Sequence, residues 1–325
     1  MKIFWIFQKF LAHLPFKLIK SKFKFSARTT NSKNILSVYK TNELLINSNY
    51  KILPGNEFRR ILKVNDSVLN PRTGIIWIED KLLLESTLWS YEDLFKFEPK
   101  PIFPKKINDT FYSLPDNGFF HFLIEDLPRY IQSKKYGGKH KTLIGNSSKY
   151  IKDAMNLLSP NSLELHEYPV KLKSLYISEK IKGTLFTLYD LNILHDAFSE
   201  FRKLNQNLKI FISRKENNGP KFKSRGLFRK NEIEAIVKSL GFNLVYLEDL
   251  SLTQQIDLCS KASIIAGFHG AGLANIVWSN SGTKVVEITG TRVTSHFEHL
   301  SKICGHEFHR YSIESDLLYL QKLLS

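Results

Sequence analysis

The chain has 325 residues, a formal net charge of +16, and 42% hydrophobic against 24% charged residues. These values exclude a disordered or fibrous chain and leave room for two domains, each with its own core. The positive excess favours anionic partners: nucleotides, phosphates or acidic lipids. The body of the chain has no Lys/Arg-dense tract with interleaved aromatics, so no nucleic-acid partner is expected.

Residues 1–42 contain no Asp or Glu, yet carry Lys2, Lys9, Lys17, Lys20, Lys22 and Lys24 among Phe4, Trp5, Phe7, Phe10, Phe16, Phe23 and Phe25. The longest apolar run there, Ile3 to Phe7, is too short for a bilayer span or a signal-peptide core. Lys9, His13 and Lys17 share a helical face, and Pro15 ends or bends that helix. Residues 1–30 therefore form a basic aromatic N-terminal element, and residues 1–25 are expected to lie on an anionic membrane surface. The plainer alternative is a helix packed on the body with solvated lysines.

The next elements are less regular. Ile75–Ile78, Lys141–Ile144, Leu163–Tyr168 and Lys173–Ile177 read as strands, and Tyr150–Leu158 and Asp190–Leu204 as helices. Between them stands Asn117-Gly-Phe-Phe-His121-Phe-Leu-Ile-Glu125-Asp126-Leu-Pro128-Arg129. On a helix, His121 and Glu125 are i,i+4 neighbours. A carboxylate beside an imidazole fixes its tautomer and raises its basicity, as a general base requires. A surface His–Glu contact is the bland reading. Two ligands are too few for a metal site, and no metal is expected.

Asn205-Gln206-Asn207 marks the boundary between a 31–204 acceptor-side domain and a 205–325 nucleotide-binding domain. Lys209–Ile212 is a strand, followed by a polar basic loop holding Ser213, Arg214, Arg225 and Arg229. Guanidinium forks match phosphate oxygens two at a time, though an exposed basic loop is also common. Asn231–Leu240 is a helix stopped by Gly241, and Phe242–Leu247 is a strand. Ser251 and Gln254 form a capping box that opens the next helix.

Ala262–Ala266 is a buried strand, and Gly267-Phe268-His269-Gly270-Ala271-Gly272-Leu273-Ala274-Asn275 turns it into a short helix over Gly272–Ser279. Glycines at such a turn bring backbone N–H groups close to a ligand, and the helix N-terminus favours an anion. The block is not G-x-G-x-x-G, which weakens a dinucleotide reading. A turn that only packs the helix on the sheet is the alternative. Lys284–Ile288 is a strand whose Glu287 could accept from ribose hydroxyls. His296–Cys304 is a helix, Phe308–Ile313 an extended segment and Ser315–Leu324 a final helix. Cys259 and Cys304 form no C-x-x-C, so neither a disulfide framework nor a cysteine zinc site is expected, and a reducing compartment fits. Strands separated by such helices imply an α/β chain with parallel sheets.

Three blocks in this order resemble glycosyltransferase family 61, which includes bacterial capsular-polysaccharide-type transferases, eukaryotic O-linked GlcNAc transferases and plant xylosyltransferases. The first is His121, Glu125, Pro128 and Arg129. The second is Ile212-Ser213-Arg214, Arg225 and Asn231-Glu232. The third is Gln255, His269 to Asn275 and Val286-Glu287. Ala274 stands where the family more often has Thr, and the resemblance covers about residues 112–310. It implies a GT-B-like fold of two Rossmann-like domains facing across a cleft, a nucleotide-sugar donor in the second domain and an inverting transfer.

The expectation is therefore a peripheral membrane glycosyltransferase on the cytoplasmic face. Its donor, a UDP-sugar by preference, is held by Ser213, Arg214, Arg225, Arg229, His269, Gly270, Ala271, Gly272, Asn275 and Glu287. Its general base is His121 or Glu125, and its acceptor is a cell-surface glycan or lipid-linked saccharide. No cofactor is firmly implied, and a divalent cation is not expected. The rival is a non-catalytic nucleotide- or glycan-binding protein of the same fold.

Overall fold

A computed structural model describes residues 50–53, 61–78, 81–83, 101, 103–178, 186–203, 207–215, 227–291 and 293–325. The N-terminal element, Arg225 and most of the expected 205–207 boundary lie outside these residues. The chain groups into two compact α/β units, and the grouping is not sequential. Residues 118–124, 149–158 and 186–325 form the second unit. Thus His121 belongs to the second unit and Glu125 to the first.

The first unit carries an eight-stranded mixed sheet in the order β4-β3-β2-β8-β5-β6-β7, with β1 beside β2. Its strands are β1 (Tyr50–Leu53), β2 (Ile61–Leu69), β3 (Ile76–Ile78), β4 (Lys81–Leu82), β5 (Lys105–Ser113), β6 (Lys141–Ile144), β7 (Leu163–Leu165) and β8 (Val170–Ser178). Strands β5 to β8 pair in parallel, whereas β1, β3 and β8 pair antiparallel to β2. The parallel, Rossmann-like arrangement therefore covers only half of this sheet. The reason is legible in β2, whose alternating residues Leu62 and Val64 are buried among Phe111, Leu143 and Leu175. That pattern suits either strand direction, and short connections between β1, β2 and β3 allow hairpin pairing.

The second unit is simpler. Five strands, β9 (Leu208–Ile212), β10 (Asn243–Val245), β11 (Ala262–Phe268), β12 (Lys284–Thr289) and β13 (Glu307–Ser312), pair wholly in parallel in the order β10-β9-β11-β12-β13. This 2-1-3-4-5 order is one of the two usual doubly-wound arrangements, which bind ligands beyond the strand C-termini. Central strands β11 and β12 are buried almost throughout, as covered parallel strands must be. The Phe211 and Phe268 rings meet edge to face at 5.4 Å in a core shared with Ile233, Val237 and Leu320.

Local chemistry sets the helix bounds. Ser251 and Gln254 make the capping box the sequence predicts, opening the Leu252–Ser260 helix. Thr187 and Asp190 make a second one at Leu188–Ala197. That helix ends earlier than expected and gives way to a 3-10 turn at Ser199–Phe201. No helix among the described residues is long and apolar enough to cross a membrane.

Candidate functional site

The site grows from one row across three adjacent strands of the second unit. In the parallel register Gly267 lies opposite Glu287, and Glu287 opposite Arg310. Paired residues on neighbouring strands face the same side, and so does a residue two further along. His269, two residues after Gly267, therefore joins the row. Its backbone N–H donates to the Ile288 carbonyl at 2.8 Å, extending the β11–β12 ladder. Its Nδ1 lies 2.6 Å from Glu287 Oε1, and Arg310 Nε donates to Glu287 Oε2 at 3.0 Å. Arg310 also donates to the Thr294 carbonyl and meets Glu298. Glu287 is fully buried and His269 nearly so.

The chain then makes a turn that only glycine adopts. Gly270 has φ +155° and ψ 177°. A Cβ on it would overlap the Arg214 guanidinium. That guanidinium, at the end of β9, is thus laid against the bare α-carbon of the turn. Gly267 is bare for a similar reason, since a Cβ there would meet the Ile212 carbonyl at 2.8 Å. Beyond the turn Ala271–Trp278 winds as a 3-10 helix rather than the expected α-helix, with Ala271 exposed and Leu273 to Trp278 buried. Asn275 is fully buried and donates from Nδ2 to the Gly272 carbonyl at 3.1 Å, tying down the first turn. Gln255 holds the preceding loop through the Leu247 and Leu250 carbonyls.

The other candidates spread out. Ser213 is buried and its hydroxyl donates to Glu234, whose Oε1 also lies 3.7 Å from Lys230 Nζ. Arg229 donates to the Ile313 and Ser315 carbonyls and to Glu232 Oε2, so it fastens the segment after β13. Glu287 has both oxygens on protein donors, a buried arrangement unlike that of a ribose-binding carboxylate.

His121 is exposed on a one-turn helix, Phe119–His121, that packs against the Ala271–Trp278 helix. The ring of Phe120, its neighbour in sequence, lies 5.6 Å from His296 and 5.9 Å from Phe297. Phe297 in turn meets the His269 ring edge-on at 5.5 Å. An aromatic wall thus runs from the His121 turn to the glycine turn. The chain continues as a π-helix over Phe122–Asp126, where Glu125 is buried, and as an α-helix over Leu127–Gly137. The expected regular helix is therefore a one-turn α-helix, a π-helix and an α-helix in succession, with His121 exposed and Glu125 buried. In the first unit Arg129 pairs with Asp126 at 3.3 Å and donates to the Ser178 carbonyl, beside a small cavity lined by Ser113, Tyr130 and Ser133.

Arg310, Phe297 and Phe120 are not expected from sequence. Only the alternation of Glu307-Phe-His-Arg-Tyr-Ser hints at Arg310, and its partner cannot be read without the β12–β13 register. No cluster of three or more metal-ligating side chains occurs among the described residues.

The Glycosyltransferase 61 family model matches residues 119–286, from the helix turn that carries His121 to the residue before Glu287. A beta-1,2-xylosyltransferase of Arabidopsis thaliana is 39% identical over 72 residues, 21% of this chain and 14% of the relative. The match thus spans far less than two thirds of that relative. Among solved structures, the dodecameric iron-containing heptosyltransferase TibC in complex with ADP-D-beta-D-heptose aligns over 75% of this chain and 79% of its own, at 10% identity and a TM-score of 0.30. That likeness is too slight to bear on the fold.

Proposed function

The chain belongs to glycosyltransferase family 61, and on that premise we propose that it moves a sugar, with inversion, from a nucleotide-sugar donor to a cell-surface glycan or lipid-linked saccharide. The observation that carries the donor side is the Arg214 guanidinium laid against Gly270 at a strand-to-helix turn. As the bond to the sugar breaks, negative charge gathers on the departing diphosphate. Fixed hydrogen-bond donors aimed at developing charge usually contribute more to catalysis than any other single effect. Arg214 and the backbone N–H groups after Gly270 supply such donors, with Arg225 added from the sequence. These positive groups serve without a divalent cation, so transfer is expected to survive a chelator. A UDP-sugar is the favoured donor.

Inversion in one displacement needs a base on the attacking hydroxyl. His121, exposed on the same unit as the glycine turn, is the histidine that the sequence points to, with Glu125 as its alternative. Residues 1–25 would hold the enzyme on the cytoplasmic face of an anionic membrane, where lipid-linked acceptors lie.

The test is UDP binding followed by turnover of a panel of UDP-sugars. Nucleoside diphosphate at a hundred times its Kd should stabilise the fold by about 2.7 kcal/mol. No thermal shift with any common nucleoside diphosphate at millimolar concentration would overturn the donor site. Binding without turnover of any donor would favour a non-catalytic binder.

A further inference from the structure

Two histidines flank the aromatic wall, and His269 has its hydrogen position fixed by a buried partner. Glu287 Oε2 accepts from Arg310 Nε at 3.0 Å, and Oε1 lies 2.6 Å from His269 Nδ1. With Arg310 offsetting its charge, the carboxylate acts as an acceptor at both oxygens. Nδ1 therefore carries the hydrogen, and a neutral ring then has its lone pair on Nε2. No partner for Nε2 is found among the described residues. A diphosphate oxygen is also an acceptor, so this lone pair cannot serve it. It can serve a hydroxyl. Phe297 against the ring and the near-complete burial of His269 make that position drier than the exposed His121.

Resting on the reading of the chain as an inverting glycosyltransferase, we propose that His269 Nε2, in place of His121 or Glu125, is the general base for the acceptor hydroxyl, with Glu287 and Arg310 as its positioning residues. The acceptor O–H bond breaks and its proton passes to Nε2. The oxygen's electron pair forms the new bond to the sugar's anomeric carbon. The bond from that carbon to the diphosphate breaks, and its electron pair leaves on the diphosphate oxygen, next to Arg214. The imidazolium so formed is held by the Glu287 carboxylate until it returns its proton to water.

Glu287→Gln makes a sharp test. Arg310 Nε still needs an acceptor, so the amide oxygen turns to Arg310 and the amide NH2 to His269. That forces the ring hydrogen onto Nε2 and removes the lone pair. Three measurements apply to wild type, Glu287→Gln and His269→Gln: imidazole nitrogen NMR of histidine-labelled protein, calorimetric binding of UDP, and turnover of the UDP-sugar panel. Expected in wild type is an Nδ1–H ring whose signals vanish in His269→Gln, and in Glu287→Gln an Nε2–H ring. Both variants should lose about 10² to 10⁴ in kcat with UDP affinity near wild type. An Nε2–H ring in wild type, a wild-type rate in Glu287→Gln, or UDP affinity lost in parallel with kcat would each overturn the assignment. If Glu287→Gln does not fold, Arg310→Lys, which keeps charge but loses the fork, should lower kcat with UDP affinity kept; an unchanged rate there overturns it. A wild type that neither binds UDP nor turns over any donor overturns the glycosyltransferase reading instead, and the NMR result still stands apart from it.

Discussion

The Asp126–Arg129 pair of the first unit and the Glu287–Arg310 pair of the second are built from the same parts and do different things. In each a buried carboxylate meets a guanidinium. Arg129 stands three residues on from Asp126 and directs another donor to the Ser178 carbonyl. Ser178 in turn donates to Gln132, and Ser133 to the Arg129 carbonyl. That circuit closes on itself and ties the Leu127–Gly137 helix to β8. Glu287 instead turns its second oxygen to a histidine whose far nitrogen faces away from the pair. A closed pair fastens the fold, whereas a pair that opens through an imidazole can pass its orientation to a ligand.

Breaking the closed pair should give the largest loss of stability. Arg129→Met leaves Asp126 buried without its cation, which typically costs about 3–5 kcal/mol. Urea unfolding checks this, and a loss below about 1 kcal/mol, as for an exposed pair, would erase the contrast between the two regions.

His306 sharpens the contrast from another side, because it is a half-buried histidine whose hydrogen-bond partner is a hydroxyl. Its Nε2 lies 3.0 Å from the Ser279 hydroxyl. Burial, assisted by His195 nearby, pushes its imidazole down to about 4 from 6.5. Between those values the unfolded chain binds a proton that the folded protein refuses. Stability from this group is therefore full above pH 6.5 and is lost as pH falls towards 4, by about 3 kcal/mol. Burial lowers His195 in the same direction. His306→Gln should flatten the acid slope of chemical unfolding, and an unchanged slope would count against this origin.

Arg214→Ala should weaken UDP binding about ten- to hundredfold, the worth of a charged hydrogen bond, and leave unfolding nearly unchanged. Lysine at this position should restore charge but not the fork. A wild-type affinity for UDP in the alanine variant would reduce the glycine turn to a packing device.

The smallest effect is expected at Arg229. Its alanine variant should lose about 1 kcal/mol of stability with its carbonyl contacts, and UDP affinity should hold. If affinity falls instead, Arg229 serves the ligand as the sequence suggests.

The second unit is largely legible in the sequence, and the first is not. Covered parallel strands such as Ala262–Phe268 announce themselves as apolar runs, and Ser251 with Gln254 writes a helix start in side-chain chemistry. The order of the family blocks locates His269, Gly270 and Glu287. What they do to one another depends on register, which no local pattern encodes; hence Arg310 stays hidden. In the first unit, half-buried strands of either direction share one alternating pattern, so the antiparallel half of the sheet has no signature of its own. The helix after Gly118 reads as regular because periodicity does not distinguish an α-turn from a π-turn. That wider turn starts directly after His121 and contains Glu125, and the pairing of these two residues is at issue.

The row of Gly267, Glu287 and Arg310 across β11, β12 and β13 has a consequence for altering this protein. The strands fix those groups through backbone ladders, while the connections between strands lie elsewhere in sequence. The segment after β12 is the exception, because Arg310 donates to the Thr294 carbonyl at 2.9 Å; the other connections are open to exchange or lengthening, with the hydrogen-bonded relay kept as a module. Selectivity and proton handling would then be separately engineerable, one in the loops and the other in the sheet.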